Sequence, residues 1–379
     1  MNNSLEYNFK GIIPVPAKAL KGKKIFVASF FLLAGLIIYD IIAYIALIVE
    51  GFDIAEAFGR FGFLPFSYIF FNSAIAFWMY NYIAPILAVF VVTVGIISIA
   101  QIDFETLRGN PFFSGRQAIS YGFSRIRRLF LSWTAVLIFI LFIALLGVIV
   151  GLIARIPYIG EILYSVFFFF PNFIVALFAV LIIIILILSV LIMPVAVSAD
   201  RVGESFQSIL ETFLTFTRQP IRWILYTAYS LIAAKVAAFV FAWVSFMAIL
   251  FLHCITWLGG GDKITGIIAS GVKHLPIDSG IVAFMTNIFP GINFGFDLSS
   301  LPPGGTDSIA GYIMTVSLFL IFLIICGYAL SVIATGQAYA YAVIKKMRDD
   351  HKITDEKPLF YEEEWVNPPI DEDKNKNDI

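Results

Sequence analysis

Residues 172–197 read NFIVALFAVLIIIILILSVLIMPVAV, and the chain continues through 198–223 as SADRVGESFQSILETFLTFTRQPIRW. The first stretch carries no charge over a length that crosses a bilayer, for which about 20 apolar residues suffice. Hydrocarbon offers backbone amides no partner, so a span of this kind is helical. The second stretch changes character. Val202, Phe206, Ile209, Phe213 and Phe216 recur at helical spacing, Glu204, Ser208, Glu211 and Thr215 fall on other faces, and Pro220 lacks the amide that would continue the helix. A span, then an amphipathic helix at 201–218, then a further apolar run decides the class. The chain is predicted to be an all-α, polytopic helical membrane bundle with cytoplasmic amphipathic helices lying at the interface.

Composition agrees. Of 379 residues 60% are hydrophobic and 13% charged, about half the charge of a soluble domain. Runs long enough to span lie at about 25–49, 79–100, 131–154, 172–197, 223–253 and 309–344, which makes six. The first has no small-residue cleavage site after it and is read as a retained anchor. Lysine and arginine mark one side of the membrane. Lys10, Lys18, Lys21, Lys23 and Lys24 precede the first run, and Arg108, Arg116, Arg125, Arg127 and Arg128 separate the second from the third. Arg201, Arg218 and Arg222 separate the fourth from the fifth, and Lys345, Lys346 and Arg348 close the sixth. The alternate loops hold only Arg60, Arg155, Lys263 and Lys273. Both termini are therefore predicted to be cytoplasmic, in keeping with an even number of spans. Residues 1–346 form one membrane domain, 254–308 a long extracytoplasmic loop, and 347–379 an acidic cytoplasmic tail.

A second amphipathic segment, FSGRQAISYGFSRIRRLF, precedes the third run, with Ile119, Phe123, Ile126 and Phe130 on one face of a helix at 114–130. Ser114 and Gln117 have the spacing of a capping box. Arg116, Arg125, Arg127 and Arg128 are candidate contacts for anionic headgroups, each worth about 1 kcal/mol near a charged surface. A weaker echo, VPAKALKGKKIF at 15–26, precedes the first run. Three units of surface helix and hairpin would account for all six spans. Over about residues 100–250 this plan, with the stretches GRQAISYGFSRIRRLF, PVAVSAD and GESFQSILETFLTF, resembles the membrane domain attached to bacterial glycerophosphoryl diester phosphodiesterases and related stand-alone membrane proteins. The resemblance implies an architecture in a bacterial cytoplasmic (inner) membrane. It implies no catalysis, because the only long polar segment is the tail.

Chemistry-bearing motifs are few. His253, His274 and His351 are scattered, and His253 beside Cys254 lacks the further ligands a zinc site needs. No nucleophile elbow, phosphate loop or dinucleotide fingerprint occurs, GGGDK at 259–263 reads as a turn, and no cofactor or nucleic-acid partner is implied. Two charges fall inside apolar runs. Asp40 stands about 22 Å into the first span and Lys235 about 18 Å into the fifth, counted from their cytoplasmic ends. At such similar depths they form a candidate intramembrane pair, either an ion or proton relay or a structural salt bridge.

In the last run Gly327, Ser331, Ala334, Gly336 and Ala338 offer small residues at the spacing that lets membrane helices approach, within the chain or between chains. The 254–308 loop, with pieces such as IVAFMTNIFPGINFGF, is expected to cap the bundle or meet a partner, and the tail to be extended with an aromatic patch, LFYEEEW, at 359–365. These features favour a non-catalytic membrane subunit or scaffold whose partners are anionic lipid and other membrane or cytoplasmic subunits. A transporter or channel-like protein using Asp40 and Lys235, and a lipid-processing membrane enzyme, are the alternatives.

Overall fold

A computed structural model describes residues 5–62, 64–65, 69–200, 205–273 and 307–358, and all regular structure among them is helical. In chain order the helices are α1 (Val15–Ala19), α2 (Gly22–Glu50), α3 (Ile54–Phe61), α4 (Ala74–Leu107), α5 (Gly115–Ala154), α6 (Ile159–Ala199), α7 (Ser205–Arg218), α8 (Pro220–Gly260), α9 (Asp262–Lys273) and α10 (Asp307–Asp349). Six of them, α2, α4, α5, α6, α8 and α10, are long and apolar enough to cross a membrane. The helices outrun the apolar stretches because nothing in the flanking sequence stops them. α2 ends only where Gly51 takes φ +107° and α4 where Gly109 takes φ +96°, left-handed turns that glycine adopts without a Cβ clash. At Gly109 the Asn110 amide also closes back onto the Glu105 carbonyl at 2.8 Å.

Leading and returning helices pair as three hairpins, α2 with α4, α5 with α6, and α8 with α10. The returning helices α4, α6 and α10 also touch one another. Burial concentrates where they converge, at 93–107, 192–200 and 328–344, together with α1 and the start of α2. This is the charged end of the bundle. The rest is open: the most apolar window of α4 is half buried, whereas none of the corresponding window of α5 is. Those side chains belong to lipid or to another protein.

Several expectations change. Residues 114–130 do not form a separate surface helix. Ser114 and Gln117 make the capping box, with Ser114 Oγ accepting from the Gln117 amide at 3.2 Å, but no proline or loop follows, so the segment runs straight into the 40-residue α5. After Arg218 the chain does break, because Pro220 starts α8. α6 begins at Ile159 and includes a π-turn at Tyr164–Phe168 just before Pro171, which lacks an amide for the regular ladder. The expected 254–308 loop is helical up to Gly260 and again through α9, which packs on α10; residues 274–306 lie outside those described. Nor is all of the tail extended. Met347–Asp349 end α10, and the segment after it returns to the bundle with Ile353 fully buried. The 359–365 patch lies outside the described residues.

Candidate functional site

The charged end holds three linked clusters. In the first turn of α2, Lys24 is 1% exposed, and its Nζ donates to Asp103 Oδ1 at 2.5 Å, to the Lys18 carbonyl at 3.0 Å and to Thr335 Oγ1 at 3.1 Å. One ammonium thereby joins α1, α2, α4 and α10. Such a pair is held in place only because both charges are compensated where water is absent. Lys18 stands 4.2 Å over the Tyr339 ring, and burial holds its ammonium below the ordinary lysine range against the opposing pull of Asp103. Lys23 donates to the carbonyls of Pro111 and Phe113 at 2.8 and 2.9 Å, tying α2 to the connection between α4 and α5.

The second cluster is built on the last turns of α4. Glu105 Oε1 accepts from Gln101 at 3.1 Å and from Arg108 at 3.3 Å, and Ser198 of α6 donates to Gln101 Oε1 at 3.2 Å. Arg108 also reaches the returning tail, where its Nε and Nη2 donate to Glu356 Oε2 at 3.0 and 2.5 Å. His351 and Thr354 complete the clasp, by contacts to Glu356 at 2.7 Å and to the Tyr7 hydroxyl at 2.9 Å. In the third cluster Glu211 of α7 accepts from Arg348 at 2.5 Å and from the Tyr341 hydroxyl at 3.3 Å. These groups lock helix ends together. Each anion meets a cation, and among the described residues no group of three His, Cys, Asp or Glu is placed to hold a metal ion. Cys254 and Cys326 are both free thiols.

The sequence-derived candidates fare unevenly. Asp40 and Lys235 do not meet. Lys24 bonds Thr335, and Gly336 packs on Ser230, so these residues share one level. Asp40 is then about 24 Å from that level and Lys235 about 8 Å, at 1.5 Å per helical residue. Lys235 is exposed, within reach of an interface by snorkelling, while Asp40 is half-buried with Oδ1 enclosed and without a partner. Asp40→Asn should therefore hold or raise stability, Lys235→Gln should change it little, and their effects should add within about 0.5 kcal/mol. Denaturation of the four variants in detergent tests this, and a coupling above about 1 kcal/mol would show that the residues do meet.

On α7 the bundle-facing side is Ser208, Thr212, Thr215 and Phe216. Phe206 is 70% exposed, Phe213 half-buried, and Ile209 packs against the core. Glu211, expected at the cytoplasmic surface, is instead the ion partner of α10. On α5, Phe123 and Phe130 are exposed and Ile119 and Ile126 pack on the core. The arginines divide likewise, with Arg116 and Arg127 exposed and Arg125 and Arg128 half-buried. The small-residue face of α10 is used within the chain: Gly327 lies on Ser29 of α2, Ser331 donates to the Ala19 carbonyl at 3.0 Å, Gly336 lies on Ser230 of α8, and Ala334 and Ala338 are fully buried.

Six long apolar helices, converging on a buried ionic lock and open along much of their length, define an all-α polytopic membrane protein. No protein-family model, curated protein or solved structure matches the chain.

Proposed function

We propose that the protein is a non-catalytic membrane subunit or scaffold of a bacterial cytoplasmic membrane complex, with the charged end in the cytoplasm. The observation that carries this reading is the contrast within the bundle: the apolar lengths of α4 and α10 are covered in good part, while those of α5, α6 and α8 lie largely uncovered. Beyond the charged end, the apolar lengths of α5 and α6 are available to the helices of a partner. A photo-crosslinking amino acid placed at Leu145 or Phe178 in cells should give one protein adduct common to both positions, and a periplasm-dependent reporter fused after Asp349 should stay silent. Adducts to lipid alone would remove the scaffold reading, and an active reporter would reverse the orientation.

Asp40 favours a second reading, transport, because its carboxylate has an enclosed, unpartnered oxygen deep in the bundle. Uptake assays in proteoliposomes with the Asp40→Asn variant discriminate, since a scaffold shows no Asp40-dependent flux.

A further inference from the structure

At the corner where α5 meets the end of α6 and the start of α7, polar atoms are buried without partners. Arg125 Nε and Arg128 Nη1 are two of them, and Ser208 Oγ on the bundle-facing side of α7 is a third, in a residue only 1% exposed. The corner is rigid. Tyr121 donates to the Ser198 carbonyl of α6 at 3.0 Å, Ser132 donates to the Ser205 carbonyl of α7 at 3.1 Å, and the Arg125 guanidinium lies 4.7 Å from the Tyr121 ring centre. Arg128 is one turn from Arg125 and one turn from Ser132, so the two guanidiniums sit between these anchors. Buried donors left unmet are costly, and a guanidinium is a fork suited to phosphate oxygens. Asp200, which acts on the same Tyr121 ring, neutralises at most one of the two charges.

We propose that Arg125 and Arg128 form a site for the phosphate of an anionic membrane lipid. The lipid source follows from position. Both arginines lie within two turns of Leu131, where the apolar run of α5 begins, which is the level of lipid headgroups. Arg116 and Arg127, on the exposed side of α5, belong to the general basic surface.

The test uses the full chain in neutral detergent, titrated with dihexanoyl phosphatidylglycerol and followed by melting temperature. Phosphatidylglycerol should raise it, and dihexanoyl phosphatidylcholine and inorganic phosphate at equal concentration should not. In R125Q/R128Q the midpoint of the titration should move roughly 30-fold, two headgroup contacts of about 1 kcal/mol each at tenfold per 1.4 kcal/mol. In R116Q/R127Q, whose exposed guanidiniums offer a short-chain lipid no enclosed pocket, it should move clearly less than in R125Q/R128Q. Equal shifts in the two double variants, or an equal effect of phosphatidylcholine, overturn the site. An equal effect of inorganic phosphate overturns the lipid assignment. Should R125Q/R128Q not fold, R125K/R128K keeps both charges but loses the fork, and an unchanged midpoint there overturns the proposal as well.

Discussion

Asp103→Asn should destabilise the protein by about 3–5 kcal/mol, the usual consequence of leaving one member of a buried ion pair uncompensated. Lys24 would keep its ammonium among Thr335, the Lys18 carbonyl and an amide, with no anion at 2.5 Å and with water excluded from both partners. Lys24→Met should cost a similar amount, because the Asp103 carboxylate already has Oδ2 buried without a partner and would then lose the cation bonded to Oδ1. The double variant Lys24→Met, Asp103→Leu should recover most of the loss, since apolar contacts often replace a buried pair without penalty. Unfolding in mixed detergent and dodecyl sulfate micelles gives all four values. Single losses below about 1 kcal/mol would mean that water reaches the pair and that the charged end is not the lock described here.

That lock was only partly legible in the sequence. The apolar runs identified six spans because bilayer length is a strong constraint, and each has its helix in the structure. The apolar run 79–100 stops at Gln101, and Asp103, Glu105 and Arg108 follow it. No stop signal occurs there. The helix continues to Leu107, and the first residue that suits a left-handed turn is Gly109. Uninterrupted helix was the available signal, and it placed Gln101, Glu105 and Arg108 along one side at spacings of four and three. What no pattern within one segment reveals is that Lys24, 79 positions earlier, meets Asp103.

Depth misled for a related reason. Counted from the ends of their own apolar runs, Asp40 and Lys235 stand at similar depths, but α8 begins well outside the level at which Lys24 and Thr335 meet, so similar counts give unequal heights. The helical spacing of α7 puts Ser208 and Thr215 off the apolar face, yet both, with Thr212, face the bundle. In the structure two of the three hydroxyls turn back on their own helix, Thr212 to the Ser208 carbonyl and Thr215 to the Glu211 carbonyl, each at 2.8 Å, which lets a polar face pack inward.

Gly327→Leu should cost about 1–3 kcal/mol and loosen α2 from α10. A Cβ at Gly327 would stand 2.2 Å from Ser29 Oγ and 3.1 Å from both the Ile25 carbonyl oxygen and the Ser29 amide nitrogen. The hydroxyl can rotate away, at the expense of its 3.2 Å hydrogen bond to the Leu323 carbonyl, but the backbone of α2 cannot. Gly147→Leu makes the same chemical change on α5, where a Cβ would find nothing within 4 Å. There the purified protein should be unaffected or gain up to about 1 kcal/mol, since glycine is a poor residue inside a helix. The opposite signs separate a packing face used within the chain from a face left for lipid or a partner. Melts of both variants in detergent measure the first effect, and equal losses would show that α5 is packed in solution as tightly as α10. In cells the comparison has a second value: if a partner helix covers α5 near Gly147, Gly147→Leu should weaken crosslinking at Leu145 without lowering the melting temperature of the isolated protein, a combination that a lipid-facing helix does not produce.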